Sequence, residues 1–240
     1  MRFQNKTVLI TGASRGIGKS LAHAFAREGA NLVLTARTQT DLEKVSAEIR
    51  RQHGVGVVPV VGDVSDEDHA KAAVEIAVKE FKQIHVLINN AAIANARPIY
   101  GLQKANWEKT LAVNLTGTFL FTKHVWKPMK SQGGGAIINI ASTGGQKGFP
   151  LLAAYCASKW GQIGFSKTAA EEGKPDNIRV NVVAPGKADT DIRAQVKEDK
   201  TKMLTASDCD GVCLFLASDD AKWITGEVIV VEWFAKGDKA

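Results

Sequence analysis

Apolar, β-branched segments recur along the 240-residue chain, and this pattern constrains the fold more than any other feature of the sequence. Segments such as those at 7–10 and 136–140 lack the polar–apolar alternation of a strand with one face in water. They therefore predict strands that are buried on both faces. We expect seven strands, at residues 7–10, 31–35, 55–61, 85–89, 136–140, 178–184 and 227–231.

Amphipathic stretches with helical periodicity separate these strands, at residues 17–28, 40–52, 66–81, 107–129, 153–172 and 206–216. This alternation calls for a parallel sheet whose right-handed crossovers place helices on both faces. We therefore predict an α/β fold with a Rossmann-like, doubly wound sheet of about seven parallel strands. No linker rich in Pro, Gly or Ser divides the chain, so residues 1–240 should form one domain.

Composition narrows the class of protein. Hydrophobic residues account for 45% of the chain and charged residues for 23%, as in an ordinary globular protein with a substantial core. The first residues lead directly into an apolar strand, and no apolar run of about 18 residues follows, so we expect a cytoplasmic protein without a membrane partner. The net charge of +6 comes from basic residues interleaved with acids, which favours a solvated surface over a nucleic-acid interface. Attraction of an anionic substrate or an acidic carrier protein is the alternative.

The cysteines and histidines suggest no chemistry of their own. Cys156, Cys209 and Cys213 are odd in number, and the last two lie four positions apart on a predicted helix, where a core explains them better than a metal. We predict neither a disulfide nor a metal site. The five histidines fall outside every motif described below.

Ligands of a doubly wound sheet bind beyond the carboxyl ends of its strands, and Gly12, Asp63, Asn89, Ser142 and Pro185 all follow predicted strands. The first strand leads into a glycine-rich turn. Glycine there lets the backbone approach a phosphate, and the helix that follows aims its N–H groups and positive dipole end at the anion. The turn has the sequence Thr11-Gly12-Ala13-Ser14-Arg15-Gly16-Ile17-Gly18.

We expect this turn to bind the pyrophosphate of a dinucleotide, through Gly12, Ser14, Arg15, Gly16, Ile17 and Gly18. Its spacing is Gly-x-x-x-Gly-x-Gly rather than the commoner Gly-x-Gly-x-x-Gly, so a plain strand-to-helix turn is the alternative. The second strand ends in Ala36-Arg37, without the acid that binds the ribose hydroxyls of NAD. Arg37 and Arg15 instead offer guanidinium groups for a 2′-phosphate, so NADP(H) is preferred over NAD(H).

Two further strand ends have a cofactor role and a structural alternative. Asp63 and Val64 can hold the adenine through a carboxylate and a backbone amide, or Asp63 can simply cap the next helix. The segment Asn89-Asn90-Ala91-Ala92 can support the cofactor, through Asn90 and Ala91, or tie neighbouring strand ends together.

Tyr155 and Lys159 are the candidate proton-transfer pair. Four residues span about 6 Å along a helix, so the two side chains share one face. A lysine ammonium favours ionisation of a phenol whose ordinary pKa is about 10, which makes Tyr155 a credible acid or base. Ser142 can share the charge that develops on a carbonyl oxygen, although a plain loop serine is the alternative. Asn114 lies inside the helix predicted at 107–129, where it marks a kink or water site, or else a helix-surface position.

Taken together, these residues resemble the short-chain dehydrogenase/reductase superfamily, in the single-domain branch typified by 3-oxoacyl-[acyl-carrier-protein] reductases. The resemblance covers almost the whole chain. It rests on the glycine turn, Asp63, Asn89-Asn90-Ala91, Asn114, Ser142, Tyr155-x-x-x-Lys159, Ile178-Arg179-Val180-Asn181, and Pro185-Gly186 with Thr190.

The resemblance implies an NADP(H)-dependent oxidoreductase that interconverts a ketone and a secondary alcohol. It makes Tyr155 the general acid or base and Ser142 the group that orients the carbonyl. By the same resemblance, Lys159 also holds the nicotinamide ribose, and Asn114 positions a relay water. It places four further residues against the nicotinamide, namely Pro185, Gly186, Ala188 and Thr190. It also implies a homotetramer or homodimer formed through the helices predicted at 107–129 and 153–172.

Several departures from the family pattern leave the substrate open. Ala92 stands where the family usually has glycine, the segment 187–205 is short and rich in charge, and Trp233-Phe234 replaces an Asp-Gly-Gly-like turn. A 3-oxoacyl thioester is the preferred substrate, and a general carbonyl, sugar or steroid-type alcohol is the alternative. Phe149, Leu151, Leu152 and Trp160 either line an apolar substrate pocket or pack in the core. A non-catalytic, NADP-binding regulatory protein is the alternative from another class.

Overall fold

A parallel sheet organises the chain in the computed structural model, which describes residues 1–188 and 203–233. Within these residues the sheet has seven strands in the order β3-β2-β1-β4-β5-β6-β7, so the predicted Rossmann-like fold is confirmed. Each predicted strand is present, with ends within two residues of those expected. The strands are β1 (Thr7–Thr11), β2 (Asn31–Ala36), β3 (Val57–Val61), β4 (Val86–Asn89), β5 (Gly135–Ile140), β6 (Ile178–Pro185) and β7 (Val228–Val231).

Helices cover both faces of this sheet. They are α1 (Gly16–Arg27), α2 (Gln39–His53), α3 (Glu67–Phe81), α4 (Lys104–Leu111), α5 (Gly117–Ser131), α6 (Ala153–Gly173) and α7 (Asp210–Ala217). The helix predicted at 107–129 is present as one helical stretch, in which a π-helical turn at Ala112–Thr116 separates α4 from α5. The helix predicted to begin at residue 206 opens with a 3-10 turn, Ala206–Cys209.

Two apolar cores lie on the two faces of the sheet. Successive residues of a strand point to opposite faces, so Val8 and Ile10 pack with α1, α2 and α7, while Leu9 packs with α3, α5 and α6. The predicted burial of these strands on both faces is therefore confirmed. Cys209 and Cys213 are fully buried, as predicted for core positions, and burial raises the pKa of the Cys209 thiol to about 12.

The order in which successive strands are added to the sheet reverses at β1, which pairs in parallel with β2 on one side and with β4 on the other. Crossovers leave β1 in opposite directions at such a point and open a crevice beyond the carboxyl ends of the strands. Among the described residues, no helix is long and apolar enough to cross a membrane, and no group of three or more His, Cys, Asp or Glu side chains is arranged to hold a metal ion.

Candidate active site

The glycine turn between β1 and α1 forms one wall of the crevice. Gly12 and Gly16 have positive φ angles of 67° and 54°, which favour glycine. A Cβ at Gly18 would overlap the Gly12 carbonyl oxygen and lie 2.5 Å from the Asn90 amide nitrogen. Helix α1 begins after Arg15 with no side-chain cap and no acidic residue in its first turn. Its N-terminal N–H groups therefore suit an anion, which fits the cofactor pyrophosphate.

Asn90 ties the glycine turn to the end of β4. Its side-chain amide donates to the carbonyl oxygens of Thr11 and Gly12 at 2.9 and 3.1 Å, and its backbone N–H donates to the Thr11 hydroxyl at 2.9 Å. The Ala91 N–H donates to the same hydroxyl at 3.1 Å. Asn89 reaches the other way and donates to Asn139 on β5 at 2.9 Å. The predicted role of this segment in joining strand ends is confirmed, and it fixes the shape of the turn.

Arg37 and Asp63 stand together at the ends of β2 and β3. The Arg37 guanidinium is about half exposed and lies 3.9 Å from the Asp63 carboxylate. Burial acts to raise the pKa of Asp63, but hydrogen bonds from Ser65 and the charge of Arg37 outweigh it and hold that pKa below its usual value. The alternative that Asp63 caps α3 was wrong, because Asp66 is the N-cap and accepts from the Asp68 N–H at 3.0 Å.

Lys109 joins this end of the crevice and was missed from the sequence. It lines a cavity of about 180 Å³ together with Arg37, Asn106 and Ile93. Its charge also helps to lower the pKa of Asp63. No motif marks Lys109, because only the tertiary fold brings α4 beside Arg37. Val64, the other residue predicted here, is buried and its backbone lies against Gly117.

Ser142 caps a short 3-10 turn, Thr143–Gly145, directly beyond β5. Its hydroxyl oxygen accepts from the Gly144 N–H at 3.0 Å, which leaves the hydroxyl proton available to a substrate oxygen. The turn brings Ser142 to Tyr155: a Cβ at Gly144 would lie 3.5 Å from the Ser142 hydroxyl and 3.3 Å from the Tyr155 ring. Ser142 and Tyr155 therefore lie close together, beside the same glycine.

Lys159 lies beneath Tyr155 on α6 and is only 1% exposed. Its Nζ lies 5.8 Å from the centre of the Tyr155 ring. It donates to the Ile140 carbonyl at 2.7 Å and to the Gln162 side-chain oxygen at 2.9 Å. Burial lowers the pKa of Lys159 to about 7, because a charged ammonium is costly away from water.

Asn114 sits in the π-helical turn and is fully buried, so the alternative of a helix-surface position was wrong. Its side chain accepts from the Ile93 N–H at 2.8 Å and donates to the Ile93 carbonyl at 2.9 Å. It also donates to the Ser158 hydroxyl at 3.0 Å. The local distortion predicted at this residue is confirmed, and the side chain joins the crevice wall to α6.

The strand β6 completes the crevice with Pro185 and Gly186. The Gly186 N–H donates to the Val231 carbonyl at 2.7 Å, and Ala188 bridges to Leu204. The predicted cofactor residue Thr190, most of the segment 187–205 and Phe234 lie outside the described residues. Trp233 is 37% exposed.

Four apolar residues close to Tyr155 in sequence were predicted either to line a substrate pocket or to pack in the core. Two of them are exposed. Trp160 is 54% exposed and Leu151 is 52% exposed, so the core alternative was wrong for both. Phe149 and Leu152 are partly buried. Leu151 also has a positive φ of 67°, an uncommon backbone conformation for a residue with a large side chain.

The site has the arrangement expected of one enzyme family. A family model described as short chain dehydrogenase matches residues 6–201. The chain belongs to the short-chain dehydrogenase family. It is 36% identical to a 3-oxoacyl-[acyl-carrier-protein] reductase of Thermotoga maritima, over 97% of this chain and 98% of that protein. It is 37% identical to trans-4-hydroxycyclohexanecarboxylate dehydrogenase of Sinomonas cyclohexanicum, over 96% and 93% of the two chains.

Solved structures agree with this assignment. Levodione reductase superposes with a TM-score of 0.91 at 31% identity, over 96% of this chain and 97% of that one. A short-chain type dehydrogenase/reductase from Mycobacterium ulcerans superposes with a TM-score of 0.92 at 26% identity, over 96% and 90% of the two chains. The family resemblance predicted from the sequence is confirmed, and this short-chain dehydrogenase is an oxidoreductase of a family that uses a nicotinamide cofactor.

Proposed function

We propose that this short-chain dehydrogenase uses NADP(H) to interconvert a ketone and a secondary alcohol, with Tyr155 as the general acid or base. One observation carries the proposal: Ser142 and Tyr155 lie beside the same glycine, Gly144, and the Nζ of the buried Lys159 lies 5.8 Å from the centre of the Tyr155 ring, at the edge of the sheet where the glycine turn lies. A proton donor, a hydroxyl that polarises a carbonyl and a dinucleotide cradle thus share one crevice.

The residues of the crevice fit a bound NADP(H). The glycine turn, where added side chains would collide, and the uncapped start of α1 suit the pyrophosphate, and Arg15 lies at that start. Arg37 and Lys109 offer positive charge to a 2′-phosphate. Asp63, Val64, Asn90 and Ala91 would hold the adenosine half. Pro185, Gly186, Ala188 and Thr190, with Tyr155 and Lys159, would hold the nicotinamide half. When bound, NADPH supplies the hydride that reduces the carbonyl carbon.

The protein's own side chains supply the proton for the carbonyl oxygen and stabilise the negative charge that develops on it. In reduction, the Tyr155 hydroxyl transfers its proton to the carbonyl oxygen, while the Ser142 hydroxyl donates a hydrogen bond to the same oxygen. A charged Lys159 stabilises the tyrosinate that results. Asn114 positions a water through which Tyr155 regains its proton. In oxidation, Tyr155 accepts the proton of the alcohol.

A 3-oxoacyl thioester is the preferred substrate in this proposal, since a 3-oxoacyl-[acyl-carrier-protein] reductase is among the similar proteins. A cyclic ketone or alcohol is the second candidate, since the similar proteins also include trans-4-hydroxycyclohexanecarboxylate dehydrogenase and levodione reductase. The exposed Leu151, just before α6, would provide an apolar contact to either.

We also propose a homotetramer or homodimer that acts in the cytoplasm. Trp107 on α4, Phe119 on α5 and Trp160 on α6 each expose an aromatic side chain on the predicted association surface. Three free cysteines suit a reducing compartment. Size-exclusion chromatography with light scattering would give the mass of the assembly, and a monomer at micromolar concentration would contradict the proposal.

Turnover of NADPH, with NADH in parallel, tests the proposed function. The panel comprises acetoacetyl thioester, cyclic diketones, simple ketones and aldehydes, with Tyr155→Phe as the control. We expect NADPH oxidation with at least one ketone, and none above background with the control. Tight NADPH binding without turnover across the panel would instead favour a non-catalytic regulatory protein.

A further inference from the structure

Gln162 is a buried amide next to the proposed catalytic lysine. It follows Lys159 by three residues on α6 and is fully buried. Its side-chain oxygen accepts from the Lys159 ammonium at 2.9 Å, and its side-chain nitrogen donates to the Thr118 hydroxyl at 2.9 Å. Both ends of the amide are therefore engaged, one by the lysine and one by α5.

The orientation of this amide is set by its partners. The Thr118 hydroxyl donates its proton to the Asn114 carbonyl at 2.9 Å, so its oxygen is left to accept from Gln162. A flipped amide would point its N–H groups at the Lys159 ammonium, donor against donor. A chain of hydrogen bonds therefore runs from Lys159 through Gln162 and Thr118 to the Asn114 carbonyl. Each donor in it has one acceptor, so the Gln162 amide has one orientation.

This arrangement also limits where the lysine can direct its charge. An ammonium group has three N–H donors. Two of them are occupied by the Ile140 carbonyl on β5 and the Gln162 oxygen on α6. The third donor direction is thereby fixed relative to α6, the helix that also carries Tyr155.

We propose that Gln162 is a positioning residue that keeps Lys159 charged and aims its third N–H at the reaction centre. The inference rests on the proposed roles of Lys159 and Tyr155, and it adds a residue to them. A buried lysine whose pKa has fallen to about 7 is only partly charged at neutral pH. Among the residues that the structure describes, the groups in contact with its ammonium are the Ile140 carbonyl, the neutral Gln162 amide and the titratable Tyr155. An amide oxygen that accepts from the ammonium favours its charged form.

Two substitutions of equal chain length test this inference, Gln162→Met and Gln162→Glu. Methionine removes the acceptor, whereas glutamate places a negative charge beside the ammonium. We expect the pKa of Lys159, followed by NMR of the labelled lysine side chains, to fall by roughly one unit in Gln162→Met and to rise by at least as much in Gln162→Glu. The basic limb of the pH profile of kcat/KM for ketone reduction should move in the same directions. Ser166→Ala, which removes a buried hydroxyl that bonds Asn139 and the Gln162 carbonyl, is the control for packing.

The two readouts separate this inference from the proposed function. The NMR titration needs no turnover, so opposite pKa shifts in an inactive protein would support Gln162 while the proposed function failed. A Lys159 pKa that is the same in wild type and Gln162→Met would overturn the inference even in an active enzyme, because the acceptor is lost only in that variant. Equal shifts in Ser166→Ala would also overturn it, because they would show that any loss of buried packing near Gln162 has the same effect. If Gln162→Met does not fold, Gln162→Leu takes its place, because leucine also removes the acceptor that bonds the ammonium.

Discussion

At the scale of single residues, the site combines groups that a sequence pattern can identify with groups that only packing reveals. Ser142, Tyr155 and Lys159 were predictable because their spacing around a strand end and along one helix dictates their meeting. Gln162 and Lys109 were not, since neither belongs to a motif and each acquires its role from an element distant in sequence: α5 for Gln162, and β2 for Lys109.

Arg37 provides a prediction about the cofactor at this scale. A charge-assisted hydrogen bond to the 2′-phosphate contributes about 1.5–3 kcal/mol, so Arg37→Ala should lower kcat/KM for NADPH roughly 10- to 100-fold. Activity with NADH should change little, because NADH lacks that phosphate. Steady-state kinetics with both cofactors would measure this, with the exposed Arg51→Ala on α2 as the matched control. An equal loss with both cofactors would refute the role given to Arg37.

At the scale of elements, the sheet strands and the helices were predictable, whereas the π-helical turn between α4 and α5 was predictable only as a local distortion at Asn114. Periodicity is nearly the same on both sides of the π-helical turn at Ala112–Thr116, so the sequence favours one continuous helix. The turn is held by tertiary contacts of Asn114 with Ile93 and Ser158. Local sequence periodicity cannot predict such long-range contacts, although an asparagine inside a predicted helix indicates a local distortion.

The junction of β1 with α1 provides a prediction about an element. Gly18→Ala places a methyl group against the Gly12 carbonyl and the Asn90 amide, so the turn must deform. We expect a loss of about 1–3 kcal/mol in the free energy of unfolding and weaker NADPH binding. Urea denaturation and fluorescence titration with NADPH would measure the two effects.

Gly211→Ala on α7 is the matched control for that substitution. A Cβ at Gly211 meets no atom within 4 Å, so alanine there should leave stability unchanged or raise it by up to about 1 kcal/mol. Suppose instead that Gly18→Ala were as stable as Gly211→Ala and bound NADPH equally tightly. The close packing of the glycine turn would then be unnecessary for both stability and cofactor binding.

At the scale of the whole molecule, the strand order places every part of the site at one edge of the sheet. The reversal of strand order at β1 sets the glycine turn beside the end of β4, and β5 and α6 bring the catalytic residues next to it. Alternating buried strands and helices predict this architecture from sequence. The loss of folding stability that the site causes is harder to predict from the sequence, because it depends on how deeply Lys159 is buried.

The burial of Lys159 predicts how the unfolding free energy of the cofactor-free protein depends on pH. Its folded pKa of about 7 lies below the unfolded value of 10.5, so the unfolded chain binds the extra proton between those pH values. The free-energy penalty of burying the charged lysine is therefore at its maximum below pH 7. It decreases as the pH rises from 7 toward 10.5. The unfolding free energy of wild type should rise relative to Lys159→Met by at most about 1.4 kcal/mol per pH unit. A difference between the two proteins that stays constant from about pH 7 to 9 would contradict the burial of a neutral lysine.

The most direct test of the central claim is the comparison of wild type with Tyr155→Phe in single-turnover reduction of a ketone that wild type accepts, with NADPH affinity measured alongside. The account predicts that loss of the phenolic proton lowers the rate of hydride transfer by roughly 100- to 10,000-fold while the Kd for NADPH changes less than about threefold. A rate that survives the substitution would show that another group supplies the proton and would contradict the account.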